Sequence, residues 1–167
     1  MRYYHGTSKQ FKDFDLKFAV RYMDFGMGIY LSQEEWHAEL IAKKANKEHA
    51  FVRCYDLNMS ELREKFKVLE FKKVSIPWVK FVLNNRSKVY LTDYDIVIGA
   101  TADAKAQAEI NSFLKQFRSR NPGHKDYRDL ISRLSADHFP TQMCLLTQQA
   151  VEYVNEHCVA VTDKNAE

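Results

Sequence analysis

Asp24-Phe-Gly-Met-Gly-Ile-Tyr-Leu-Ser32 is the stretch whose reading decides the fold. Two glycines one residue apart, closed by Ile-Tyr-Leu-Ser, describe a tight backbone loop running straight into a short strand. Glycine at Gly26 and Gly28 permits positive φ and lets another chain or a ligand approach the backbone closely. Ser32-Gln-Glu-Glu35 then has the S-x-x-E form of a helix capping box. A glycine loop, a strand and a capped helix therefore follow one another here. Taken alone, the same residues fit a plain surface hairpin. A second short signal, Tyr3-Tyr-His-Gly-Thr7, stands ahead of it.

The 167 residues suffice for one compact domain with a sizeable core. Hydrophobic content of 46% and charged content of 28% are those of ordinary soluble globular proteins. Eleven Phe, nine Tyr and two Trp are many for this length and predict an aromatic-rich core or pocket. No run approaches the roughly 18 apolar residues of a membrane span. The first residues lack the apolar core of a signal peptide, so a cytoplasmic protein with no membrane partner is expected. Cys54, Cys144 and Cys158 are odd in number, widely spaced and free of C-x-x-C or clustered-histidine context. They read as buried free thiols, with no metal site. A net charge of +3 is too small to argue nucleic-acid binding by itself.

Taken in order, Arg2 to Tyr4 reads as a strand stopped by Gly6, and Phe11 to Val20 as an extended crossing loop. Tyr30 to Ser32 is the second strand. From Gln33 to about Glu48, Trp36, Leu40, Ile41 and Ala45 recur at helical spacing. Phe51–Leu57 and Lys67–Phe71 read as strands. Ser75-Ile-Pro77 opens a helix that Asn84-Asn85 should stop. Tyr94–Ile98 is an apolar run suited to a central strand. Ala102–Phe117 and Lys125–Ala136 are helices separated by a turn, Thr141–Leu146 is the last strand, and Gln148–His157 a final helix. Val159–Glu167 reads as a frayed polar tail, which puts the domain at 1–158 and the tail at 159–167. This order of elements argues a single α+β or mixed α/β domain.

His5-Gly6-Thr7 followed by Gly26-x-Gly28-Ile29-Tyr30-Leu31-Ser32 resembles the first two signature strands of the ADP-ribosyltransferase superfamily, in its His-Tyr-Glu branch (diphtheria-toxin-like and poly-ADP-ribose-polymerase-like). With Tyr94-Asp-Ile-Val-Ile-Gly99 and Gln142-Met-Cys-Leu-Leu-Thr147-Gln-Gln-Ala150, the chain is more closely similar to a bacterial family of small ADP-ribosyltransferase-like domains of unknown function. The resemblance runs through nearly the whole chain, in order. It implies an α+β fold with a mixed, split sheet and flanking helices. It also implies an enzyme that uses NAD as substrate, cleaves the nicotinamide–ribose bond through an oxocarbenium-like transition state and transfers ADP-ribose to a nucleophile.

The resemblance assigns roles by position. His5 would bond an adenosine-ribose hydroxyl of NAD, and Gly6 and Thr7 would hold the nicotinamide amide. Tyr30 would stack on the nicotinamide ring, with Gly28 and Ser32 in the same motif. Gln142 would occupy the place of the branch's glutamate. Two departures matter. The second stacking aromatic falls at Ile41, for which Trp36 is the substitute in reach or else a core tryptophan. Glutamine at 142 keeps a hydrogen bond but cannot take a proton. Chain building is thereby disfavoured, and single-unit transfer, NAD hydrolysis or silent binding stay open. His5, Tyr30 and Gln142 are the catalytic candidates. The function expected is a mono-ADP-ribosyltransferase toxin or effector, acting on an unidentified protein or nucleic-acid acceptor, with a neutralising antitoxin or immunity partner. The alternative is a catalytically silent NAD- or protein-binding module of the same fold. RNA 2′-phosphotransferases share the superfamily but carry a second histidine where Tyr30 stands. Asp24 is left between orienting loop amides and capping the turn.

Overall fold

The structure, a computed structural model, describes residues 1–87, 92–102, 104–134 and 139–164. Among them the chain forms seven strands: β1 (Arg2–Thr7), β2 (Ile29–Ser32), β3 (Phe51–Asp56), β4 (Val68–Glu70), β5 (Ile96–Ala100), β6 (Thr141–Leu145) and β7 (Cys158–Asp163). Six helices accompany them: α1 (Glu35–Ala45), α2 (Met59–Lys65), α3 (Ile76–Ser87), α4 (Ala104–Gln116), α5 (His124–Leu134) and α6 (Gln148–Asn155). One sheet runs in the order β4-β5-β6-β2-β1-β3-β7. Only β4 and β5 pair parallel; the other neighbours are antiparallel. The fold is a single α+β domain.

Period-2 alternation distributes the strands' side chains to two cores. One face carries Tyr3, Ile29, Leu31, Ile98, Met143 and Leu145, covered by α2 and α6 through Leu62, Ala150, Val151 and Val154. The other carries Val97 and Cys144, covered by α3, α4 and α5 through Trp78, Val82, Ile110 and Leu130. Burying each such aliphatic chain stabilises the fold by roughly 1.5–3 kcal/mol before entropy is charged against it.

The sheet is continuous in name only at its middle. β1 matches β3 over six residues from Arg2↔Asp56 to Thr7↔Phe51, whereas it meets β2 at Tyr4↔Ser32 alone. β2 spends its other edge on β6, from Ile29↔Leu145 to Ser32↔Gln142. The two halves therefore diverge past Tyr4 and Ser32, and the sheet is split there. Residues 8–28 span the gap. They are pinned by Arg53, whose guanidinium donates to the carbonyls of Phe11 at 2.6 Å and Lys12 at 2.7 Å. Asn155 holds both the N–H and the C=O of Phe14, whose ring enters the core.

Several local readings change. Residues 158–163 are not a tail: they pair with β3 as an edge strand, because Phe51 to Tyr55 would otherwise leave one ladder edge open. β1 continues through Gly6 to Thr7, since glycine in a paired strand weakens the ladder without ending it. α2 was absent from the sequence reading, although Asn58 caps it through the N–H groups of Ser60 and Glu61. α3 runs past Asn84 and Asn85 because Asn85 is buried and donates back to the Phe81 carbonyl at 2.9 Å. β5 is interior to the sheet but not its central strand. The expected helix end at Ala136 lies outside the described residues.

Candidate functional site

Gly6 is where β1 meets α1. A Cβ built there would stand 1.8 Å from the carbonyl oxygen of Ala38, so only glycine lets the helix lie this close. Gly28 plays the same part against β6, where a Cβ would meet the Leu145 carbonyl at 2.4 Å and the Cys144 Sγ at 2.5 Å. Of the two loop glycines only Gly26 takes positive φ, at 105°. Tyr30 closes this loop: its hydroxyl accepts from the Phe25 N–H at 2.9 Å and donates to the Gly26 carbonyl at 2.8 Å. Burial, reinforced by the neighbouring Cys144, holds its phenol well above the ordinary value, so it stays protonated and the loop stays latched.

His5 stands at the split. Its Nδ1 lies 2.8 Å from the Tyr30 carbonyl, on the strand β1 has just parted from. A carbonyl only accepts, so Nδ1 carries the proton and the neutral ring's Nε2 keeps a free lone pair. The bond also satisfies a carbonyl that the opened ladder would orphan. Phe14 and Phe11 pack edge-on at 4.8 and 6.0 Å. Burial chiefly, with Arg53 adding to it, pulls the imidazole down to about 4, partly opposed by the bond to Tyr30. The unfolded chain binds the proton first as pH falls. This contribution is therefore full above about pH 6.5 and lost as pH falls toward 4, a loss of up to about 3 kcal/mol. Chemical denaturation at pH 7.5, 6, 5 and 4 should show that decline, reduced in His5→Asn, where the amide still donates to Tyr30 and nothing titrates.

Gln142, 6% exposed on β6 opposite Ser32, donates its Nε2 to Asp24 Oδ2 at 3.0 Å. Asp24 is the residue whose role the sequence left open, and it neither caps the turn nor orients loop amides. Its carboxylate accepts from Arg86 Nε at 2.7 Å and from Arg86 Nη2, from the Ala102 N–H at 3.0 Å, and from Gln142. The tie explains glutamine at 142. A glutamate there would set a second carboxylate about 3 Å from a buried first one, which cannot both stay ionised.

Ser32 and Trp36 complete the expected set. Ser32 is buried and forms no capping box: α1 begins after Glu34, without a side-chain cap, and the Ser32 Oγ accepts the Glu34 N–H at 3.2 Å. Trp36 is 58% exposed and touches His37 edge-on at 5.6 Å, so it is not a core tryptophan. Ile41 is exposed as well. Thr7 sits on an open hollow of about 340 Å³ with Gln10, Phe11 and Arg53, and its hydroxyl accepts the Lys9 N–H at 3.1 Å. The structure thus places His5, Tyr30, Ser32 and Gln142 on three adjoining strands, with Tyr30, Ser32 and Gln142 on the face of Cys144 and His5 on the opposite face beside Phe14. Gly6 and Gly28 are packing glycines, and Trp36 and Ile41 are left outward. Sequence reasoning missed Arg86 and His37; the spacing Ser32-x-x-x-x-His37 across a strand–helix junction was the available signal.

A family described as "Protein of unknown function (DUF3990)" matches residues 1–155. The chain belongs to this family. No curated protein and no solved structure matches it. Every strand but β7 and all six helices lie within the matched span, so the family description covers the split, the Asp24 network and the glycine loop. Among the described residues no helix is long and apolar enough to cross a membrane, and no group of three or more His, Cys, Asp or Glu is placed to hold a metal ion.

Proposed function

We propose that this DUF3990 protein is a mono-ADP-ribosyltransferase that takes NAD as substrate, cleaves the nicotinamide–ribose bond and passes ADP-ribose to a nucleophilic acceptor. The observation that carries the reading is His5 in the split: a neutral imidazole, fixed through Nδ1, with Nε2 left as an acceptor for a sugar hydroxyl. Tyr30 and Gln142 stand on the next two strands, two register positions apart. Positioning of this kind is what an oxocarbenium-like displacement asks of a protein. Gln142 would bond a ribose hydroxyl through its amide without taking a proton.

A second reading, an NAD- or protein-binding module without turnover, is favoured by one feature. Gln142 is committed to Asp24, and Trp36 and Ile41 stand in solvent where a second stacking ring is wanted.

The test is release of free nicotinamide from NAD by the purified protein, beside His5→Asn and Tyr30→Ala. His5→Asn keeps a donor for the Tyr30 carbonyl and removes the Nε2 acceptor, so kcat/KM should fall at least about tenfold with the fold intact. A thermal shift with NAD but no release favours the binding module. Neither release nor shift overturns both.

A further inference from the structure

On the face of the sheet that carries Gln142 the site as described lacks a base; His5, with its free Nε2, stands on the opposite face. Gln142 cannot accept a proton, and Asp24 already accepts from Arg86, the Ala102 N–H and Gln142 in a buried position. An acceptor hydroxyl or amine must nevertheless lose its proton when it bonds to ribose. Along the same face of the sheet, Ser32 lies directly opposite Gln142, which sets their Cβ atoms about 5 Å apart. Its Oγ is 3.1 Å from the Nδ1 of His37, one turn into α1.

The hydrogen bonds around Ser32 have a direction. Its Oγ accepts the Glu34 N–H at 3.2 Å and lies 3.4 Å from Glu34 Oε2. That carboxylate is itself fixed by the Thr141 N–H at 2.9 Å, from the residue preceding Gln142. A carboxylate only accepts, so the single Ser32 proton turned to Glu34 leaves Oγ to accept from His37 Nδ1–H. Nε2 then holds a bare lone pair, and it makes no hydrogen bond among the described residues. Burial keeps the imidazole below its ordinary value, while Glu34 favours the charged form that a captured proton would create.

We propose that His37 is the general base of the transfer step, taking the acceptor's proton at Nε2, with Ser32 and Glu34 as positioning residues behind it. This rests on the NAD reading above. The C1′–N bond breaks with its electron pair leaving on the nicotinamide nitrogen. The acceptor atom bonds C1′, and its proton passes to His37 Nε2 and on to solvent, which the half-exposed side chain reaches. Nothing is oxidised or reduced.

The experiment compares the unmodified protein with His37→Gln on NAD, with methanol or sodium azide as acceptor, following methyl- and azido-ADP-ribose. Methanol must be deprotonated and azide need not be. A lost base should therefore cost about a hundredfold with methanol and less than about threefold with azide. The azide arm also reports that the variant is folded. Equal losses in both arms would make His37 merely structural, and no loss in either would make it idle; both overturn this inference alone. No product from the unmodified protein with either acceptor overturns the NAD reading, and the base with it.

Discussion

Asp24→Asn should lower the melting temperature by about 10 °C, the equivalent of the roughly 3–5 kcal/mol lost when one member of a buried ion pair is removed. The exchange barely changes volume. It leaves the Arg86 guanidinium buried without a counter-charge, and turns the amide's N–H₂ end toward the Ala102 N–H and the Gln142 Nε2, donor against donor. Three elements lose their common anchor at once: α3 through Arg86, the segment after β5 through Ala102, and β6 through Gln142. Differential scanning calorimetry checks the shift. The double variant Asp24→Asn/Arg86→Met should recover a substantial part of it, since it removes the orphaned charge as well. A single-variant shift below about 2 °C would mean that solvent relieves Arg86 and that Asp24 is no hub.

Gly6→Ala should be the most damaging single methyl in the protein. The added carbon would lie 1.8 Å from a helix backbone oxygen, a contact that no rotamer change relieves. α1 must retreat bodily from β1, uncovering Ala38 and Ala42, both fully buried. Overpacking costs about 1–3 kcal/mol where side chains can yield, and backbone against backbone should exceed that range. Gly123→Ala is the control, since its nearest neighbour is the end of the Asp126 side chain at 3.5 Å. Urea denaturation should show a midpoint drop for Gly6→Ala several times that of Gly123→Ala. Similar midpoints for the two would show that α1 sits loosely on the sheet. The result also bears on function, because a residue expected to hold nicotinamide through its backbone has a packing reason of its own to be glycine.

Much of the fold was legible because local chemistry and tertiary structure agree. The β-branched and aromatic run Phe51–Leu57 placed β3 and the run Thr141–Leu146 placed β6, each to within a residue, and helical spacing placed α1, α4 and α5. The misreadings have identifiable causes. Asn85 reads as a stop by propensity, but a buried amide bonding back to Phe81 lets the helix run on. Cys158–Asp163 reads as tail because edge strands carry little burial pattern, and its pairing with β3 is invisible to local sequence. Ser32-x-x-Glu35 has the letters of a capping box, yet Ser32 is drawn into the sheet opposite Gln142 and its hydroxyl turns to Glu34 and His37.

The candidate site divides in the same way. The sequence by itself determined that Tyr30 and Gln142 fall on strands, that His5 follows the end of one, that Gly26 sits in a tight loop, and that no second aromatic occupies position 41. These follow from residue type and short-range pattern. Only the tertiary structure decided that β1 and β2 part at Tyr4 and Ser32, that His5 bridges the gap with Nε2 free, and that Asp24 ties Gln142 to Arg86 across 62 and 118 residues of chain. The reason is physical. A hydrogen bond's partner is chosen by the desolvation cost of every alternative in the folded molecule, and that cost exists only once strands distant in sequence have been packed side by side.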